Sequence, residues 1–140
     1  IESFEFSREE IRDLLPRKVS AWIKYGDIRE QMGDLEEAEF YKSNALDLIN
    51  PSEKIDPNWF VQVINFYNKH KMYDKSLLTL RRAVAAVPNH APFHVSLGDY
   101  YRVEGINYRA KEEYDQALIH DPDNKRAKSG LRKMGYEDSY

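Results

Sequence analysis

The chain has 140 residues, of which 41% are hydrophobic and 13% aromatic, and it contains no cysteine, so a disulfide framework and a thiolate metal site are excluded. Charged residues are almost balanced, with a formal net charge of −3, which argues against nucleic-acid binding because phosphate-binding surfaces need an excess of Lys and Arg. No apolar run approaches the roughly 20 residues of a membrane span and no signal peptide is recognisable, so a soluble domain without membrane contact of its own is expected, in the cytoplasm or the periplasm.

Helical signals follow one another along the chain. Apolar residues at helical spacing predict helices over residues 18–32, 35–49, 57–70, 73–87, 91–104, 107–120 and 124–134. Pro88 and Pro122 each follow an apolar run, and proline cannot continue a helix. Gly33 and Gly105 stand at short turns, where a left-handed residue ends the first helix of a pair. The sequence therefore predicts an all-α chain of helix–turn–helix units.

Small residues repeat with a regular period. The set near the C-terminus is Gly98, Ala110 and Ala117. One period earlier stand Ile64, Ser76 and Ala83. A slightly longer step before those stand Gly26, Ala38 and Ala45. Pro88 and Pro122 are separated by the same 34 residues as the set that begins at Ile64 and the set that begins at Gly98. Glycine and alanine at such positions allow two antiparallel helices to approach closely. A period of this length indicates stacked helical repeats.

The repeated residues resemble the tetratricopeptide repeat (TPR) family, whose unit is a helix–turn–helix of about 34 residues. The third copy carries most of the family pattern, in Leu97-Gly98-Asp99-Tyr100-Tyr101, Gly105, Ala110, Tyr114, Ala117-Leu118 and Pro122. The resemblance covers about residues 17–135 and implies a right-handed α-solenoid of three repeats within a single domain. The implied parts are an N-terminal helix or half repeat at 1–16, repeats at 19–50, 57–90 and 91–124, an insertion at 51–56 and a capping helix at 125–135.

Both ends of the chain carry capping signals. Ser7-Arg8-Glu9-Glu10 resembles a capping box, and it opens a short helix that ends before Pro16. Residues 4–15 are either the second helix of an earlier repeat or a plain N-terminal capping helix. At the other end, Asp123 or Asn124 can cap a helix that Gly135 closes.

The first two copies depart from the family pattern. Arg29 and Lys42 stand where the family usually has a large aromatic or apolar residue, and we expect Phe40 and Tyr41 to fill that space after a slight rotation of the helix. Ile64 replaces the usual glycine in the second copy, so its two helices are expected to lie slightly farther apart.

Catalytic and metal-binding patterns are missing from the sequence. There is no phosphate-binding glycine loop and no nucleophile elbow. His90 and His94 have a spacing that can hold zinc, but Pro92 lies between them and no third ligand accompanies them, so turn and surface histidines are predicted. Glu36-Glu37 and Glu112-Glu113 are expected in first turns of helices, where carboxylates favour the positive end of the dipole. A protein that is not an enzyme, without a metal or a cofactor, is predicted.

The resemblance also implies a binding surface, because the first helix of each TPR unit lines an inner, concave wall. The residues that it places on this wall as peptide-binding candidates are Ile23, Asp27, Glu30, Val61, Asn65, Lys69, Val95, Asp99 and Arg102. Asp27, Asn65 and Asp99 recur at one repeat position and suggest a polar line for a peptide backbone. Ile23, Val61 and Val95 suggest an apolar line beside it.

Family members that clamp the C-terminal carboxylate of chaperones carry Lys and Asn in the first repeat, where Ile23 and Asp27 stand here. The carboxylate of Asp27 would repel such a ligand. We therefore predict that this chain is not a co-chaperone of that kind.

Three hypotheses of function follow. The first is a non-catalytic scaffold that binds a protein or peptide of unknown identity on the concave face. The second is an accessory domain of a larger multidomain protein, such as a bacterial membrane enzyme of cell-surface polysaccharide assembly, motivated by the first residue not being Met and by the alternative half repeat at 4–15. The third is a homo-oligomer formed through apolar residues near the N-terminus, around Phe4, Phe6 and Ile11.

Overall fold

The computed structural model describes residues 6–136, and helices are the only regular secondary structure within them. In order along this part of the chain lie α1 (Arg8–Leu14), α2 (Val19–Gln31), α3 (Leu35–Ala45), α4 (Pro57–Lys69), α5 (Tyr73–Ala86), α6 (Ala91–Val103), α7 (Asn107–His120) and α8 (Lys125–Lys133). A short 3₁₀ turn at Leu46–Leu48 continues α3. The all-α fold of helix–turn–helix repeats is confirmed. None of the helices in the described range combines the length and the apolar character needed to cross a bilayer.

Two compact units divide the chain, Ile1–Val63 and Ile64–Tyr140, and the division falls inside α4. The N-terminal unit contains α1, the pair α2–α3 and the start of α4. The C-terminal unit contains the rest of α4 and the helices α5 to α8, in which α6 packs against α5, α7 and α8.

In the N-terminal unit, α2 packs against α3 around aromatic side chains. The Tyr41 ring is buried and meets Trp22 edge-on, with ring centroids 5.6 Å apart, and Tyr25 at 4.7 Å. Ala38 and Ala45 are completely buried, as expected for the small residues that allow close helix approach.

The predicted capping box at the N-terminus is confirmed. The Glu10 amide donates to Ser7 Oγ at 3.2 Å, and the Ser7 amide donates to Glu10 Oε2 at 2.8 Å. The helix that it opens is held against α3, because Arg8 Nε donates to Glu37 Oε1 at 2.8 Å.

The apolar N-terminal cluster of the third hypothesis needs a correction. Ile11 is buried and offers little surface to another copy, whereas Phe6 is about half exposed. Phe4 lies outside the described residues.

In the C-terminal unit, α7 presents three completely buried residues, Ala110, Tyr114 and Ala117. Ala127 and Leu131 bury one side of α8. This helix is capped by Asn124, whose Oδ1 accepts from the Ala127 amide at 2.9 Å, and it is followed by Gly135 with φ +91°, so both predicted signals are confirmed.

The turns inside the repeats have a common conformation. Gly33 and Gly105 have φ +81° and +79°, as expected from the sequence. The residue at the same place in the second repeat is Lys71, with φ +59°. A side chain in this left-handed region costs about 1 kcal/mol or more relative to glycine, so the second repeat tolerates a strained turn.

Candidate functional site

The predicted binding residues of the N-terminal unit are one buried and three half-buried side chains. The Ile23 side chain is 1% exposed, which corrects the expectation that it forms part of an apolar line open to a ligand. Asp27, Glu30 and Val61 are half-buried.

The predicted binding residues of the C-terminal unit range from exposed to buried. Asn65 and Lys69 are exposed on α4, while Asp99 and Arg102 are half-buried on α6. Val95 is 1% exposed and, like Ile23, packs in the interior rather than lining an open surface. Helical periodicity places both residues on the expected faces of their helices but does not indicate that other residues cover them.

Asp27 is held by a buried lysine. Lys42 on α3 is 4% exposed, and its Nζ lies 2.6 Å from Asp27 Oδ1 and 3.4 Å from Glu30 Oε1. A Cβ on Gly26 would lie 2.6 Å from Lys42 Cγ, so the glycine provides the space that the lysine stem fills. The expectation that Phe40 and Tyr41 fill the space in place of Lys42 is therefore wrong beside Gly26, where Lys42 itself lies, although Tyr41 is buried nearby.

Asp99 is held by a buried tyrosine in the corresponding place. Tyr114 Oη donates to Asp99 Oδ1 at 2.5 Å and accepts from Arg102 Nε at 3.1 Å. The ring lies against two glycines, since a Cβ on Gly98 would be 2.8 Å from it and one on Gly130 would be 2.3 Å from Cζ.

The first and third repeats thus share one geometry. A residue of the second helix passes a glycine of the first helix and binds the aspartate that follows that glycine. Lys42 does so with an ion pair to Asp27, and Tyr114 does so with a hydrogen bond to Asp99. The two aspartates of the predicted polar line are therefore partly engaged within their own repeats.

Burial changes the acid–base behaviour of this network. Desolvation, followed by the hydrogen bond to Asp99, raises the pKa of Tyr114 to about 12. The hydrogen bond to Tyr114 raises the pKa of Arg102. In the N-terminal unit, the hydrogen bond from Arg29 lowers the pKa of Asp34, and Asp34 Oδ1 also accepts from the Glu37 amide at the start of α3.

A cavity of about 210 Å³ opens beside Asp99, lined by residues of α6 and α8. The lining residues are Asp99, Arg102, Lys125, Arg126, Ser129, Gly130 and Lys133. Arg126 Nη2 lies 3.0 Å from Asp99 Oδ2, although the Arg126 side chain is 65% exposed. Four cationic side chains therefore surround one carboxylate.

The sequence prediction included Asp99 and Arg102 but not the α8 residues of this cavity. A signal for them was present, because Lys133 stands one repeat period after Asp99 and so continues the repeat position of Asp27.

One histidine and one pair of glutamates differ from their predictions. His94 is buried rather than on the surface, with Nδ1 2.8 Å from Glu113 Oε2 and Nε2 2.6 Å from the Pro88 carbonyl oxygen. Glu112 and Glu113 lie beyond the first turn of α7, so their expected dipole role is wrong. Among residues 6–136, no group of three His, Cys, Asp or Glu side chains is arranged to hold a metal ion.

Comparison with known proteins gives a likeness at the level of structure. No protein-family model matches the sequence, and no curated protein matches it. The Arabidopsis OM64 TPR domain has a TM-score of 0.59 at 12% identity, covering 83% of this chain and 93% of that chain. The first TPR of Spaghetti (RPAP3), bound to the HSP90 peptide SRMEEVD, has a TM-score of 0.60 at 19% identity, covering 84% and 90%.

A third structure has the same kind of likeness. YrrB, described as a TPR protein with an unusual peptide-binding site, has a TM-score of 0.57 at 17% identity, covering 90% of this chain and 65% of that chain. At these identities the likeness concerns the fold alone. Together with the helix pairs, the small residues at their contacts and the left-handed turns, it shows that this chain has the tetratricopeptide-repeat fold.

Proposed function

We propose that this chain is a non-catalytic module that binds a peptide segment of a partner protein on the first helices of its repeats. The observation that carries the proposal is the cavity beside Asp99 and Arg102, two residues at positions that the family resemblance assigns to peptide binding. Its walls are polar and charged, and Arg126 and Lys133 are exposed side chains beside it.

The structural neighbours give independent support for this class of function. One was solved with the peptide SRMEEVD, and another is described by its peptide-binding site. The chemistry also fits, because a peptide backbone offers both donors and acceptors. Exposed Asn65 can satisfy either kind, while Arg102 provides guanidinium donors.

The proposal is tested by selecting ligands from a displayed library of random linear peptides and mapping the best binder by amide chemical shifts. We expect the largest shifts in α2, α4, α6 or α8. A selection that yields no binder would contradict the proposal, as would shifts confined to α3, α5 and α7.

A pair of amide-to-alanine variants adds an energetic readout. Asn65→Ala on α4 is expected to lower the affinity for the selected peptide about three- to tenfold, which corresponds to the loss of one hydrogen bond. Asn89→Ala, at an exposed position in the turn before α6, is the matched control and should leave binding unchanged. Equal effects of the two variants would count against a site on the first helices.

The prediction that the chain does not clamp a chaperone carboxylate rests on Asp27, and it stays a prediction. The charge of Asp27 is compensated by Lys42 at 2.6 Å, so electrostatic repulsion of a ligand is weaker than the sequence suggests. Binding of an acidic C-terminal chaperone peptide in calorimetry, lost when the peptide's C-terminus is amidated, would overturn it.

No feature of the described residues favours the accessory-domain hypothesis over the scaffold, and self-association also stays a prediction.

A further inference from the structure

The cavity beside α8 has a charge opposite to that of the whole chain. Four of its lining residues are cationic, Arg102, Lys125, Arg126 and Lys133, and Asp99 is the single carboxylate. The complete chain has a formal net charge of −3. A local excess of positive charge on an acidic protein attracts anionic groups to one place rather than to the whole surface.

The carboxylate of Asp99 does not pair fully with all four of these cations. Asp99 accepts from Tyr114 at 2.5 Å and from Arg126 at 3.0 Å, and Arg102 lies 3.6 Å away. A guanidinium has five N–H donors, so Arg126, which is 65% exposed, keeps donors for a ligand. Lys125 and Lys133 are exposed and have no ion pair within the described residues.

The spacing of the two lysines indicates the shape of the ligand. They stand at the two ends of α8, which corresponds to about 12 Å at a rise of about 1.5 Å per residue. Two separate carboxylates can therefore pair with the two lysines at the same time. An extended peptide advances about 3.3 Å per residue, so acidic side chains about four residues apart match the distance.

We propose that this cavity binds an extended acidic segment of the partner protein. Two carboxylates of the segment pair with Lys125 and Lys133, and a third carboxylate of the segment pairs with Arg126. The proposal rests on the proposed peptide-binding function and specifies its ligand. It assigns acidic recognition to α6 and α8 of the C-terminal unit, whereas the co-chaperone prediction depends on Asp27. The ligand needs no free C-terminus, because side-chain carboxylates supply the charges.

The test uses the full chain and a fluorescein-labelled, C-terminally amidated peptide with Glu at every second position. Fluorescence anisotropy is compared for this peptide and for a version with Gln at every Glu. The cavity variant is Lys125→Gln with Lys133→Gln. The matched control is Lys71→Gln with Lys128→Gln, which removes the same charge from the same unit outside the cavity.

We expect the cavity variant to weaken binding of the Glu peptide about tenfold, since each exposed charge pair contributes modestly, and the control variant to weaken it less than about twofold. Added salt should weaken binding by the unaltered chain. Equal weakening by the two double variants, or equal binding of the Glu and Gln peptides, would overturn the inference. Complete displacement of the Glu peptide by inorganic phosphate at low concentration would also overturn it, by identifying a site for a single anion.

The library selection separates failure of this inference from failure of the proposed function. Selected peptides that are neutral or basic would leave peptide binding standing and overturn acidic recognition. A selection without any binder would overturn both.

Discussion

The hydroxyl group of Tyr114 joins α7 to two side chains of α6, and Tyr114→Phe removes it while keeping the ring. The ring still fills the space beside Gly98 and Gly130, so the change in the free energy of unfolding reports the hydroxyl alone. A hydrogen bond to a charged group contributes about 1.5–3 kcal/mol. Asp99 is 33% exposed and keeps Arg126 at 3.0 Å, so the low end, about 1.5 kcal/mol, is expected at neutral pH.

The same substitution has a pH dependence whose sign follows from the raised pKa. Tyr114 has a pKa of about 12 in the folded chain, against about 10 when unfolded. Its contribution is therefore fully present below about pH 10 and is lost as pH rises toward about 12, because the unfolded state releases the proton first. By about pH 11 the loss amounts to about 1.4 kcal/mol, so the advantage of the unaltered chain over Tyr114→Phe nearly disappears.

Urea unfolding followed by circular dichroism, repeated from pH 7 to about pH 11, measures both effects. Burial also raises the pKa of Tyr41, but this contribution is common to both proteins and cancels in their difference. Tyr101→Phe is the control, because its hydroxyl accepts only a 3.5 Å contact from Arg81, and a loss below about 0.5 kcal/mol is expected. A Tyr114→Phe protein as stable as the unaltered chain at pH 7, or a stability difference independent of pH, would refute the reasoning.

Substitutions at three further positions are to be checked by the same urea measurements. Lys71→Gly should stabilise the chain by about 0.5–1 kcal/mol, because glycine adopts φ +59° without strain, and a destabilisation would contradict this. Lys42→Ala should cost about 2–4 kcal/mol because it removes both the buried stem and the partner of Asp27, and Lys42→Met about 1 kcal/mol because it keeps the volume, so equal losses would argue against a packing role for the Lys42 stem. Gly130→Ala should destabilise by about 1–2 kcal/mol because its Cβ would lie 2.3 Å from Tyr114 Cζ, whereas helix propensity alone predicts a gain.

Much of the fold was predictable because its signals are local. Gly33 and Gly105 end helices through their own backbone conformation, and Asn124 caps α8 through a contact within the first turn. Such signals depend on a few neighbouring residues, and the period of small residues then repeats them along the chain. Lys71 shows the limit: it takes the same turn conformation without being a glycine, so residue type alone does not reveal this turn.

The candidate site was predicted less completely because its members come from separate helices. The repeat period located Asp99, but the partners of Asp99 come from α7 and α8, and whether Arg126 and Lys133 share a cavity with it depends on how those helices pack. Val95 illustrates the same point, since its periodicity predicts a face and the tertiary structure covers that face.

The helices, their turns and the recurrence of an aspartate at one repeat position can all be derived from the residues alone, since they follow from backbone preferences and a period in the chain. The burial of Lys42 and the bond between Tyr114 and Asp99 depend instead on how the helices pack in three dimensions. The reason is that a polar side chain is stable in the interior only where another helix supplies its partner, and that pairing has no local signature in the chain.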